Sequence, residues 1–145
     1  MLRIRQMTPA DIPAVSDLVR STLELDYSLD TYLGIFSFWP AGALVGCMGR
    51  RIVAFLGSII AAEGEVRILL LTISPELRRQ GHGSMLLNRF IKLCLMEGMK
   101  VITLEVRKSN KIAIYFYRKH GFQMVEEMKN YYADGESGYR MALWL

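Results

Sequence analysis

The segment from Val66 to Val106 constrains the fold more than any other part of the chain. An apolar run, Val66 to Ile73, leads through Arg78-Arg79-Gln80-Gly81-His82-Gly83 into the amphipathic stretch Ser84-Met85-Leu86-Leu87-Asn88-Arg89-Phe90-Ile91. A second apolar run, Val101 to Val106, follows soon after Gly98. The order reads as strand, glycine-rich basic turn, helix, strand. A single crossover helix between two strands of one sheet makes those strands parallel. The glycines let backbone approach a ligand closely, and the first free N–H groups of a helix form an anion site. The turn therefore suits a phosphate or pyrophosphate, although such turns also serve as plain strand-to-helix connectors. Neither a G-x-x-x-x-G-K-S/T loop nor a complete G-x-G-x-x-G fingerprint is present.

The flanking segments complete a mixed α/β pattern. Leu2 to Met7 reads as a strand, Thr8 as an N-cap and Pro9 as a first helical residue. Ile12, Val15, Leu18, Val19 and Leu23 then form a helical stripe. Leu29 to Phe38 is a second helix, ended by Pro40. Ala43 to Met48 and Ile52 to Ala61 form an antiparallel pair turning at Gly49-Arg50-Arg51. The helix Gly83 to Met96 stops near Gly98, and a shorter one, Lys111 to His120, closes at Gly121. Phe122 to Tyr132 and Tyr139 to Trp144 are the last two strands. The expectation is a mixed, mostly antiparallel seven-stranded sheet with a parallel central pair and about four flanking helices.

At 145 residues the chain is expected to form one domain, residues 1–145. With 52% hydrophobic and 22% charged residues, its composition is that of a globular protein with an apolar tilt. The uncharged stretch Ile52 to Ala62 is far shorter than the ~20 residues that span a bilayer, so no membrane partner is expected. The first five residues lack the apolar core of a signal peptide. Cys47 and Cys94 have neither metal-ligand nor disulfide spacing, which points to a cytoplasmic, reducing compartment without a bound metal. The net charge of +4 is modest, and its basic clusters flank the glycine turn and the Lys108–Lys111 region. A nucleic-acid binder would carry a stronger basic stripe.

The turn Arg78-Arg79-Gln80-Gly81-His82-Gly83 resembles the Q/R-x-x-G-x-G/A signature of the GNAT superfamily of N-acetyltransferases. A second stretch, Leu104-Glu105-Val106-Arg107-Lys108-Ser109-Asn110 through Tyr117 to Gly121-Phe122, is similar to that superfamily's L-E-V-R-x-S-N-x-x-A-x-x-x-Y-x-x-x-G-F. This pattern belongs to the RimI-like branch, which acetylates protein N-termini. The two motifs together cover roughly residues 66–132. The resemblance implies the GNAT fold, in which the parallel central pair splays apart, and acetyl-CoA as donor. It also implies protein or peptide N-termini as acceptors, nascent or ribosomal proteins among them, and a monomer or weak dimer.

The resemblance carries over residue by residue. Arg78, Arg79, Gln80, Gly81, His82, Gly83 and Ser84 would hold the pyrophosphate. The backbone of Leu71, Thr72 and Ile73 would receive the pantetheine arm, and the Asn110 side chain would contact the cofactor. Asn110 equally suits the N-cap of the following helix. Tyr117 would be the general acid at the departing sulfur, with core packing as its alternative. A phenol near pKa 10 lies close to a thiol near 8.5.

Glu105 would be the general base, directly or through water. Read from the residues alone, a charged side chain interrupting a central strand needs a partner, and an ion pair with an Arg or Lys is the competing role. Burial would raise its pKa and make it a better base. Leu23-Glu24-Leu25-Asp26-Tyr27 is similar to the loop lining the first-residue pocket of N-terminal acetyltransferases, and Lys129-Asn130-Tyr131-Tyr132 to their K-N-Y-Y segment. Leu25, Tyr27, Tyr131 and Tyr132 are thus substrate candidates, while aromatic packing alone would also account for Tyr131 and Tyr132.

The chain departs from the pattern in three places. Glu24 replaces the loop proline, Leu25 replaces the glutamate of the Ser/Ala-preferring group, and Arg67 stands where the Met-reading group has a catalytic tyrosine. The competing activities are acetylation of lysine or a small amine and non-catalytic binding of acyl-CoA. An α-amine of pKa near 8 costs about 3 kcal/mol less to neutralise at pH 7 than a lysine near 10.4.

Overall fold

The computed structural model describes residues 1–145. Seven strands form one sheet: β1 (Arg3–Gln6), β2 (Leu44–Met48), β3 (Arg51–Ala62), β4 (Glu65–Ile73), β5 (Val101–Arg107), β6 (Gln123–Met128) and β7 (Gly138–Trp144). Their spatial order is β1-β2-β3-β4-β5-β7-β6, and β4 with β5 is the parallel pair. The helices are α1 (Ile12–Leu23), α2 (Leu29–Phe38), α3 (His82–Met96) and α4 (Lys111–Lys119). The mixed sheet and its parallel centre are those the sequence predicts.

Two boundaries differ from expectation by more than one residue. Pro9–Asp11 is a tight 3-10 turn, and the α-helix proper begins at Ile12. Asp11 sets this turn: its carboxylate accepts from the Thr8 N–H at 2.8 Å and from both Arg5 Nη atoms at 2.7 and 2.9 Å. The strand expected to reach Tyr132 stops at Met128, because Asn130 takes a left-handed φ of 53° and turns the chain out of the sheet. Tyr131 and Tyr132 therefore lie in the connection between β6 and β7.

The sheet separates two apolar cores. On one face Leu86, Leu87, Phe90 and Cys94 of α3 and Ile114 and Tyr117 of α4 meet Val66, Ile68, Ile102, Leu104 and Val106. Burying Leu86, Leu87 and Phe90 contributes about 1.5–3 kcal/mol each. On the other face Val15, Leu18 and Val19 of α1 and Tyr32 of α2 pack on Val45, Phe55 and Leu70. No residue of β5, β6 or β7 joins this second core. The face of those strands that carries Thr103, Glu105 and Arg107 is left without a helix over it.

β4 changes sides part-way along. Val66 and Ile68 point into the first core, yet Leu70 points into the second, and Leu71 and Ile73 return to the first. The register with β3 shifts between Gly57 and Ser58, opposite Leu70 and Ile68, which leaves Leu69 as an extra residue. An extra residue in one strand reverses the alternation and bends the strand. Pairing with β5 ends at Ile68 with Leu104, so the two parallel strands part at the same place. No helix is long and apolar enough to cross a membrane.

Candidate active site

The parting of β4 from β5 opens a cleft of about 440 Å³. Leu71, Thr72 and Ile73 line it, on the stretch of β4 whose β5-facing edge has no strand partner. An extended amide chain can pair with such an edge as a strand would. The far end is built by Arg78, Arg79 and Gly83, and the opposite wall by Asn110, Phe116 and Tyr117.

Backbone conformation shapes the turn at the far end. Arg79 and Gly81 both have left-handed φ, 63° and 83°, and Gly81 is the N-cap of α3. The first capping bond in this turn runs from the Met85 N–H to the Gly81 carbonyl. The N–H groups of His82, Gly83 and Ser84 thus precede the helical ladder and carry its positive end. Arg78 is held to the strand end by its Nε, which donates to the Ile73 carbonyl at 3.2 Å. Gln80 turns away from the cleft and donates to the Glu76 carbonyl at 3.2 Å. Of the predicted cofactor residues, Gln80, Gly81, His82 and Ser84 are not among those that line the cleft.

Asn110 is the N-cap of α4, the second of its two expected roles. Its Oδ1 caps α4 by accepting from the Ala113 N–H at 3.2 Å, and the residue lines the cleft. The three successive aromatics also divide. Tyr115 is exposed, whereas Phe116 and Tyr117 line the cleft. Tyr117 is packed edge-on against Phe116 and Phe122 at 5.3 and 5.4 Å between ring centres. Burial pushes its phenol well above the ordinary value.

Leu23, Ile112 and Ala113 also line the cleft, and the sequence reading missed them together with Phe116. Their signal was present only as apolar residues on helices, which core packing explains as well. Leu23 matters because it ends α1, immediately before the Leu25–Tyr27 segment.

Glu105 lies one residue beyond the last β4–β5 pairing, on the face without a helix. Its Oε1 accepts from the Tyr131 hydroxyl at 2.8 Å and its Oε2 from Arg140 Nη2 at 2.9 Å. Burial alone would raise its pKa, but the bonds from Arg140 and Tyr131, with the nearby charge of Arg67, outweigh it. The carboxyl is held below its ordinary range, which reverses the elevation expected from burial in a central strand. The ion pair given as the competing role of Glu105 is therefore present, with Arg140 as the partner.

The two tyrosines are fixed over this face. The Arg107 guanidinium lies 4.2 Å from the centre of the Tyr132 ring and pairs with Asp134 and Glu136 at 2.9 and 2.8 Å. Glu136 also accepts from the Ser109 N–H at 3.0 Å. A Cβ at Gly138 would fall 2.8 Å from the Tyr132 ring, so glycine there lets the ring sit against β7. Tyr131 packs edge-on against Tyr132 at 5.2 Å. Leu25 and Tyr27 are half-exposed on the connection between α1 and α2, with Tyr27 edge-on to Tyr32 at 6.1 Å.

A model of the acetyltransferase (GNAT) family matches residues 11–122 of this chain. The chain belongs to that family. It is similar to the N-alpha-acetyltransferase MAK3 of Arabidopsis thaliana, with 29% identity over 138 residues, covering 91% of this chain and 71% of the relative. It is also similar to an uncharacterised N-acetyltransferase of Methanocaldococcus jannaschii, 31% identical over 140 residues, covering 95% and 88%. Among solved structures, Ard1 from Thermoplasma volcanium shares 33% identity at a TM-score of 0.93, over 99% of this chain and 97% of that one. The ribosomal-protein-S18-alanine N-acetyltransferase of Escherichia coli shares 27% identity at 0.86, over 99% and 94%.

This GNAT domain is an acetyltransferase with acetyl-CoA as its donor. The cleft has the required chemistry: a free strand edge for amides, apolar walls for the arm, and arginines with a helix N-terminus for phosphate.

Proposed function

We propose that the chain transfers acetyl from acetyl-CoA to the free α-amine of protein N-termini. The observation that carries the reading is the placement of Glu105: beside the strand parting, bonded to Tyr131, on the face without a helix. The N-alpha-acetyltransferase name of a relative 29% identical over most of the chain supports the same acceptor. The Escherichia coli relative, named for an alanine of ribosomal protein S18, supports protein N-termini, ribosomal proteins among them. Buried, unpaired Cys47 and Cys94 fit a cytoplasmic site of action.

Bound acetyl-CoA supplies the acetyl group as a thioester, whose C–S bond breaks as the new C–N bond forms. The turn from Arg78 to Ser84 holds the pyrophosphate, and the free edge at Leu71–Ile73 holds the arm. Asn110 completes the wall while capping α4. Glu105, kept anionic, attracts the substrate ammonium and receives its proton through water. A carboxylate with a lowered pKa is a weak base, which favours an amine that is already partly neutral. At pH 7 an α-amine is about one-tenth neutral and a lysine less than about one-thousandth. Tyr117 donates its O–H to the departing sulfur. Because burial moves the phenol further above a thiol, this hydrogen bond stabilises the thiolate before complete proton transfer.

Thiol-release kinetics on Glu105→Gln and Tyr117→Phe test these roles. Each variant should lose about 10²-fold or more in kcat while binding acetyl-CoA normally. Full activity in either variant across pH 6 to 9 removes that residue from the chemistry.

A further inference from the structure

We infer that Arg140 is a positioning residue for acetyl transfer: from β7 it locks the Glu105 carboxylate in place and orients it toward the substrate ammonium. The inference rests on the reading of Glu105 given under Proposed function.

The geometry is a row of three residues across three strands. Glu105 is directly opposite Arg140 in the β5–β7 pairing, and Glu126 is opposite Arg140 in the β6–β7 pairing. Arg140 Nη2 donates to Glu105 Oε2 at 2.9 Å, and Nη1 donates to Glu126 Oε1 at 3.1 Å. One guanidinium therefore spans two carboxylates on separate nitrogens. Its Nε is buried and has no partner, so the side chain is oriented by these two acids.

The other charged and titratable groups around Glu105 leave this role to Arg140. From β4, Arg67 contributes its charge but pairs with Glu65 at 3.5 Å, and Glu65 also accepts from Thr103 Oγ1 at 3.1 Å. From the β6–β7 connection, Tyr131 donates to Glu105 Oε1 and Tyr132 lies behind it on Arg107. Arg140 is thus the cation hydrogen-bonded to Glu105. With Oε1 held by a phenol and Oε2 by a guanidinium, the carboxylate cannot rotate freely, and its remaining lone pairs are aimed. Glu126 is exposed on β6 and competes for the same guanidinium, which tempers the hold on Glu105.

The test compares Arg140→Gln, Arg140→Lys and Glu126→Gln in the full chain. The readouts are Glu105 titration followed by carbon-13 carboxyl NMR, and kcat as a function of pH. Removing the guanidinium should raise the Glu105 midpoint by about one unit or more. In Arg140→Gln, kcat should fall several-fold across pH 6 to 9, where the carboxylate stays mostly ionised, and the acid limb of the profile should move up with the Glu105 midpoint, with KM for acetyl-CoA unchanged. Arg140→Lys should lie between wild type and Arg140→Gln in both readouts. Glu126→Gln should shift the Glu105 midpoint downward and leave the fold intact. A purely structural arginine would still shift the Glu105 midpoint by its charge but would leave kcat at pH 8 unchanged.

If Glu105 titrates identically in wild type, Arg140→Lys and Glu126→Gln, the inference is overturned even should Arg140→Gln fail to fold. A fully active Glu105→Gln variant would instead overturn the underlying reading of Glu105, so the two failures are separable.

Discussion

The Thr72 hydroxyl donates to the Thr22 hydroxyl at 2.6 Å, and Thr22 in turn donates to the Leu18 carbonyl at 2.7 Å. This relay joins the cleft-lining end of β4 to the last turn of α1, just before the Leu25–Tyr27 connection. Thr72→Val keeps the shape and removes the donor. It should cost about 1 kcal/mol in denaturant unfolding and speed amide exchange over residues 20–28. Exchange unchanged in that segment would show that the relay does not restrain it.

Gly83 lines the cleft, and a Cβ there would meet Phe116 at an ordinary 3.5 Å. Gly83→Ala should therefore fold normally while crowding the approach of pyrophosphate to the first turn of α3. Calorimetry should show acetyl-CoA affinity reduced about tenfold or more, a loss of roughly 1.4 kcal/mol. Gly81 is a poorer probe, since its φ of 83° makes any side chain strained in itself.

The Arg5 guanidinium, hydrogen-bonded to Asp11, lowers that carboxyl to about 2 against an ordinary 3.8. A depressed acid stabilises the fold above its unfolded pKa and loses that contribution as pH falls through the folded one. Asp11→Asn should destabilise the protein by about 1–2 kcal/mol at pH 7. The gap between variant and wild type should close as pH drops from about 4 toward 2. A gap independent of pH would locate the effect in packing instead.

Much of the fold was legible because its signals are local. Periodicity, prolines and glycines placed α2 at Leu29–Phe38 and the crossover from Val66 to Val106. The bulge at Leu69 was not legible, because Leu69-Leu70-Leu71 offers no polar contrast to mark a reversal of faces. Glu105 stood out as a charge in an apolar strand, but its partner Arg140 depends on strand register, which no local signal gives. The same holds for Leu23, Ile112, Ala113 and Phe116, whose apolar side chains look alike whether they meet a core or a cofactor. The expected rise in the Glu105 pKa failed for this reason: an Arg or Lys partner was weighed only as the competing role, and neither Arg140 nor Tyr131 could be picked out as its donor.

Leu25 and Tyr27, which the proposed function would place in the first-residue pocket, lie together on the connection between α1 and α2. An apolar, aromatic pocket gains about 0.8 kcal/mol per buried methylene and cannot strongly reject a smaller side chain. Met- and Leu-starting peptides should be preferred, with measurable turnover of Ser and Ala. Leu25→Glu should move kcat/KM toward Ser and Ala by several-fold. A wild-type enzyme that strictly prefers Ser or Ala over Met would place the pocket on other residues.

The central claim is that the acceptor is an α-amine. Mass spectrometry after incubation with acetyl-CoA tests it most directly, using peptides that vary in the first residue and each contain one lysine. Paired peptides with a blocked N-terminus complete the set. Acetyl should appear on the N-terminal nitrogen of the free peptides, with the blocked ones left unmodified. Acetylation of the lysine in blocked peptides at a comparable rate would contradict the account.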